Sequence, residues 1–265
     1  ELLDHPREVK PEDSQYGSLL GPEFSNDEIR AYLDSADAVY HFYENDDELV
    51  DQVAELIASE NVVGHFSDRA EFGPRALGCR SILGDGRSLK MQETMNLKIK
   101  FRESFRPFAP AILREDVDEY FEMRPDENSP YMLLVAPVKE SKRLPVAEAD
   151  RARGLDKLKE VRSVVPAITH VDYSARVQTI DMEHNPRFYQ IISKFKEKTG
   201  SPVVINTSFN VRGEPIVNTP EDAFRCFMYT NMDALILENF VILKRDQPNA
   251  KEIDVDAYLK EFALD

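Results

Sequence analysis

Apolar positions along the chain fall into two periods. Leu49, Val50, Val53, Leu56 and Ile57 recur at helical spacing and predict an amphipathic helix over about 46–59, capped by Asn45 with Glu48 three residues on. Ser25-Asn-Asp-Glu28 has the form of a capping box, opening a helix to about Ser35. Asn185-Pro186 and Thr219-Pro220 each place a cap before a proline at the first helical position. They predict helices ending at Gly200 and near Tyr229, and 89–99 reads as another helix. Short apolar runs predict strands at 61–66, 130–138, 164–171, 176–180 and 202–205, with a closing hairpin at 234–237 and 240–243. This interleaving, with no internal repeat, predicts a single α/β (α+β) domain over 25–265. Residues 1–24 read as an arm or linker from a preceding domain, and 139–163 as a charged, irregular insertion.

Composition adds limits. At 265 residues, with 42% apolar and 31% charged side chains, the chain can bury a sizeable core as one large domain or two small ones. No apolar run approaches the ~20 residues of a membrane span, and no signal peptide is visible. Cys79 and Cys226 lack metal-type spacing, which predicts two inert thiols and a cytoplasmic location. The opening ELLDHPREVKPEDSQYG reads like the middle of a longer protein. Charge is more informative. The formal net charge is −16, and residues 1–60 hold 17 acids against 3 bases, yet residues 69–114 hold 10 bases against 4 acids. A local reversal of this kind predicts a focused anion site, whereas a nucleic-acid binder would be basic over a whole face.

The candidate chemistry lies in that reversal and downstream of it. Gly73-Pro-Arg75 and Gly78-x-Arg80 follow the strand at 61–66, where glycine permits close backbone approach and arginine offers a fork matched to phosphate oxygens. In NLKIKFRESFRPFAP, Lys98, Lys100, Arg102 and Arg106 are interleaved with Ile99, Phe101, Phe105 and Phe108. Strict alternation from Lys98 to Arg102 predicts cations on one face and core anchors on the other. His170 and Asp172 would share a strand face, but a metal needs a third ligand that the sequence does not nominate; Arg176 reads as a further phosphate contact. The strand at 202–205 opens into Asn206, Ser208 and Asn210, followed by Arg212-Gly213. Rossmann and P-loop glycine patterns are absent, as is a Ser-His-Asp constellation. Fixed cations without a nucleophile point to electrostatic catalysis that joins two anions.

Four segments in order, DRAEFGPRALGCRSIL, MNLKIKFRESFRPFAP, ITHVDYSARVQTID and INTSFNVRGEPIVNTPEDA, resemble the O-carbamoyltransferases of nodulation-factor and antibiotic biosynthesis, and within them the C-terminal YrdC-like domain. The resemblance runs from about Gly21 to about Leu243. It implies a mixed twisted sheet with flanking helices that binds carbamoyl phosphate and ATP, with Mg²⁺ on the nucleotide, and forms carbamoyl adenylate. An N-terminal Kae1-like domain would then pass the carbamoyl group to an acceptor hydroxyl. By the same resemblance Arg75, Lys100, Arg106 and Arg176 hold the phosphates, with Lys100 and Arg106 catalytic. Asn206 and Ser208 complete the pocket, while Arg80, Arg102, Asn210 and Arg212 are secondary candidates. The family commonly has Gly at Asp68, Met at Ala70, Asn or His at Cys79, and Gly at Tyr173. Asp68 is expected to weaken anion binding or to pair with Arg69 or Arg75, and Tyr173 to narrow its surroundings. The competing expectation is an ATP- or RNA-binding module without turnover, and the net charge weighs against RNA.

Overall fold

In a computed structural model, which describes residues 13, 15–145, 160–248, 250 and 255–262, the helices begin where side-chain caps place them. Ser25 opens α1 (Asn26–Ser35) with the full reciprocal box to Glu28. Asn45 caps α2 (Asp46–Ala58) by accepting from Asp47 N, without help from Glu48. Asn185 caps α5 (Pro186–Thr199), which stops at left-handed Gly200, and Thr219 with Asp222 boxes α6 (Pro220–Met228). Between them lie α3 (Met91–Lys98) and the short α4 (Val117–Tyr120); α7 (Val255–Lys260) is the last helix described.

The strands are β1 (His41–Phe42), β2 (Val63–Phe66), β3 (Arg80–Asp85), β4 (Ala109–Leu113), β5 (Leu134–Pro137), β6 (Ser174–Ile180), β7 (Val203–Ser208), β8 (Ala234–Leu237) and β9 (Phe240–Leu243). They form one mixed sheet in the order β1-β9-β8-β2-β3-β7-β4-β6-β5. The β2–β8 and β4–β6 pairs are parallel and the others antiparallel. Its central strands are apolar on both faces, because helices cover both. Along β7, Val203 and Ile205 join the core under α1, α3 and α6, while Val204 joins the core under α2 and α5. Among the described residues no helix is long and apolar enough to cross a membrane. Cys79 and Cys226 are buried and unbridged.

Several local expectations need correction. Residues 164–171 form no strand: Pro166 starts a single 3₁₀ turn through Ile168. The 130–138 strand shrinks to its last residues because the chain turns at Met132, where φ is +54°. Strands β1, β3 and β4 were not expected; β3 starts on a buried arginine and β4 contains Pro110. The Lys98–Arg102 alternation is not a strand, since α3 ends at Lys98 and the chain reverses at Phe101, with φ +46°. Of the arm at 1–24, the described part lies against the FGPRALG loop, Gly21 N donating to Ala70 O and Phe72 N to Ser18 O. Of the insertion, 146–159 lies outside the described residues, and an Arg143–Ser163 bridge closes its base.

Candidate functional site

A cleft of about 500 Å³ opens beside the end of β7 and the start of β4 and brings together Arg75, Arg102, Arg106, Arg176, Asn206 and Ser208. Pairing of β7 with both β3 and β4 sets Asn206 between Leu83 and Ala109, which fixes the floor. Arg176 comes from β6 opposite Val135, and the other arginines come from loops. Among the described residues none of the four is in a salt bridge. Burial, with Arg75 nearby, lowers the Arg176 pKa; burial, with Arg106 nearby, brings Arg102 down to about 10. Arg176 Nε is buried without a hydrogen-bond partner. Clustered like charges that lack counter-ions are what a site for an anion requires.

The loops are held by side chains that the sequence reading passed over. Glu71 Oε1 accepts from the backbone N–H of Leu77 (2.6 Å), Cys79 (2.7 Å) and Arg80 (3.2 Å), closing the FGPRALG loop around one carboxylate oxygen. Across the loop, Gln178 Nε2 donates to Leu77 O (2.8 Å) and Asn206 Nδ2 to Ala76 O (3.1 Å), and Asn206 Nδ2 also donates to Gln178 Oε1 (2.6 Å). Asn96, at the end of α3, sets the second loop. Its Nδ2 donates to Ser104 O and Arg106 O, and its Oδ1 accepts from Arg102 Nε (2.6 Å). The one sequence signal for Glu71 was an acid within an arginine-rich run. Asn96 and Gln178 carried none, because their partners are backbone atoms brought near by folding. Gly78 has φ +126°, and a Cβ there would lie 2.4 Å from Phe188 Cδ1 on α5, so the loop can follow this path only with glycine.

Not every candidate reaches the cleft. Lys100 is 4% exposed and sits behind β7. Its Nζ donates to Ser208 O, to Asn210 O and Asn210 Oδ1 (both 2.8 Å), and more distantly to Ser208 Oγ. Burial lowers its pKa to about 7. The reversal at Phe101 turns this lysine inward, so it is placed to anchor Ser208 and Asn210 rather than to line the cavity. Arg80 is likewise interior: it donates to the carbonyls of Pro22, Ser67, Asp68 and Cys79 and covers the Phe66 ring at 3.5 Å. Arg212 is exposed away from the cleft, and Asn210 is engaged by Lys100, Ser208 and Glu214. His170 lines the cleft in a turn and not on a strand, while Asp172 caps Ser174. Among the described residues no three or more His, Cys, Asp or Glu side chains gather as a metal site.

Two of the four departures from the family pattern, Asp68 and Tyr173, have a backbone meaning. Asp68 and Tyr173 have φ of +56° and +65°, in the left-handed region that favours glycine. Asp68 borders a different cavity, with Asp46, Arg187 and Glu238, and pairs with neither Arg69 nor Arg75 through its side chain in a salt bridge among the described residues. Tyr173 does not line the cleft; its ring lies under Arg143.

Residues 54–244 match the family described as carbamoyltransferase C-terminus. Over 268 aligned residues the chain is 54% identical to the uncharacterized protein sll1178 of Synechocystis, covering 100% of this chain and 43% of that protein. It is 38% identical to the nodulation protein NolO of Bradyrhizobium diazoefficiens, covering 91% of this chain and 40% of that one. Identity to the 3'-hydroxymethylcephem-O-carbamoyltransferase of Amycolatopsis lactamdurans is 35%, over 65% of this chain and 28% of that protein. Among solved structures, full-length HypF in its phosphate- and nucleotide-bound form matches with a TM-score of 0.46 and 16% identity, over 75% of this chain and 22% of that one. The chain therefore spans less than half the length of these curated relatives. With 54–244 matched and sequence similarity extending across the whole chain, the protein belongs to the carbamoyltransferase C-terminal family.

Proposed function

We propose that the cleft binds carbamoyl phosphate and ATP and forms carbamoyl adenylate. The observation that carries this reading is the convergence of Arg75, Arg102, Arg106 and Arg176 on one cavity, without carboxylate partners among the described residues. Water cleaves carbamoyl phosphate to carbamate and inorganic phosphate. A carbamate oxygen then attacks the α-phosphorus of ATP, the bond to the β-phosphate bridging oxygen breaks, and pyrophosphate leaves. Two anions must approach each other, and four fixed guanidinium groups offset their repulsion and the charge that develops between them. Ser208 adds a hydroxyl beside the guanidinium groups, and Lys100 holds its position from behind.

A second cavity of about 580 Å³ adjoins this cleft through Pro107 and His170 and carries the exposed apolar side chains of Leu89, Phe105 and Val171. Polar side chains line it as well, Gln92, Glu93, Ser104, Arg162 and Thr169 among them, and a chamber of mixed apolar and hydrogen-bonding groups next to a cationic cleft suits a nucleoside attached to phosphates. Among the described residues the cleft lining carries no carboxylate, so Mg²⁺ would enter only as the nucleotide's companion, held by phosphates and waters. Transfer to an acceptor hydroxyl belongs, in this reading, to a Kae1-like domain of a longer protein, and the reaction takes place in the cytoplasm. The test is phosphorus NMR of the purified chain with ATP, Mg²⁺ and carbamoyl phosphate. Pyrophosphate that forms only when carbamoyl phosphate is present is the expected result. ATP that binds but stays intact under those conditions would reduce the chain to a nucleotide-binding module.

A further inference from the structure

The amide of Asn206 has one free end. Its orientation follows from the partners: Leu77 O and Ala76 O are carbonyls that only accept. Gln178 must therefore turn Nε2 towards Leu77, which leaves its Oε1 facing Asn206, and Asn206 must turn Nδ2 towards both Ala76 O and Gln178 Oε1. Both hydrogens on Nδ2 are then used. What remains is Asn206 Oδ1, an acceptor on a side chain only 1% exposed that lines the cleft, with no hydrogen-bond partner. The four guanidinium groups that line the same cleft offer donors alone. An unsatisfied buried acceptor is destabilising, and that cost is recovered when a donor arrives.

We infer that Asn206 Oδ1, locked in place by Gln178, accepts an N–H of the substrate's carbamoyl amide and thereby makes the cleft select carbamoyl phosphate over acyl phosphates. This rests on the proposed function and adds to it the basis of substrate choice. Acetyl phosphate is the discriminating probe. It carries a methyl in place of the amide, with nearly the same size and charge, so a preference between the two reports an acceptor for the amide N–H. A site built to bond a substrate N–H rejects an analogue that lacks it, because the protein acceptor is then left buried and unpaired. Gln178 acts through Asn206 and is a positioning residue; Asn206 determines specificity.

The experiment is calorimetric titration of the full chain with carbamoyl phosphate, acetyl phosphate and inorganic phosphate. The wild type is expected to prefer carbamoyl over acetyl phosphate by about 10–100-fold. In Gln178→Leu and Asn206→Ala that preference is expected to collapse towards one, carbamoyl phosphate losing more affinity than acetyl phosphate does. Circular dichroism identifies a variant that has unfolded, and the wild-type ratio stands as a test without either variant. Equal wild-type affinity for the two acyl phosphates, alongside binding of inorganic phosphate, overturns this inference and leaves the adenylate reading standing. A wild-type preference that persists in both folded variants also overturns it. Failure of all three ligands to bind overturns the underlying reading and this one together.

Discussion

Single residues decide whether the cleft is an anion site, and Arg176 is the most telling. It is held near Arg75 without a carboxylate, so its positive charge opposes folding in the absence of ligand. Arg176→Gln should leave the melting temperature in phosphate-free buffer unchanged or raised, and should abolish most of the rise that added phosphate produces in the wild type. A lower melting temperature with the phosphate effect retained would make Arg176 structural. Arg75, Arg106, Arg176, Asn206 and Ser208 could be named as candidates from sequence because cations and short polar side chains near strand ends are local patterns, and the fold brings all five to one cleft. Lys100 and Arg80, named on the same local pattern, are buried and lie outside the cleft lining. Lysine and arginine look alike in sequence whether they face a ligand or a row of carbonyls, and the reversal at Phe101 that separates the cases is a backbone event. Glu71→Ala removes one oxygen that accepts three N–H bonds and should cost about 2–3 kcal/mol in denaturant unfolding.

At the scale of elements, the site depends on how the loop after β2 is clamped between β2 and α5. His65 on β2 bonds Gly78 O through Nδ1 at 2.6 Å, and Phe188 of α5, its ring stacked with that of His65 at 6.3 Å, packs against Gly78. Gly78→Ala should therefore destabilise by about 3 kcal/mol, combining a clash with a disfavoured backbone region. Loss of less than 1 kcal/mol would show that the loop can move away. Burial keeps His65 neutral, its pKa down at about 4, whereas the unfolded chain titrates near 6.5. The folded state then binds fewer protons between these values. Stability is fully present above about pH 6.5 and falls as pH drops towards 4, by about 3 kcal/mol from this one group. His65→Gln should flatten that part of the stability–pH curve, and an unchanged slope would assign the acid sensitivity to carboxylates. Helix starts were readable because a cap and a proline act within four residues. Strand β4 was not, since Pro110 argues against a central strand. It is tolerated because pairing with β6 begins one residue later, at Ala111.

For the whole molecule, the formal charge of −16 and the cationic cleft serve different ends. On the proposed reading the acidic surface disfavours long anions such as RNA, while a recessed cluster of arginines attracts small ones. Phosphate affinity should fall as ionic strength rises, and single-stranded RNA should fail to compete for the cleft; effective competition by RNA would favour a nucleic-acid module instead. The measurement that tests the account most directly is calorimetric titration of carbamoyl phosphate into the wild type and into Arg106→Ala. Arg106 lines the cleft from an exposed loop position, so its truncation should leave the fold intact and weaken binding at least about tenfold. Equal affinity in the two proteins would contradict the assignment of this cleft as the site where carbamoyl phosphate is held.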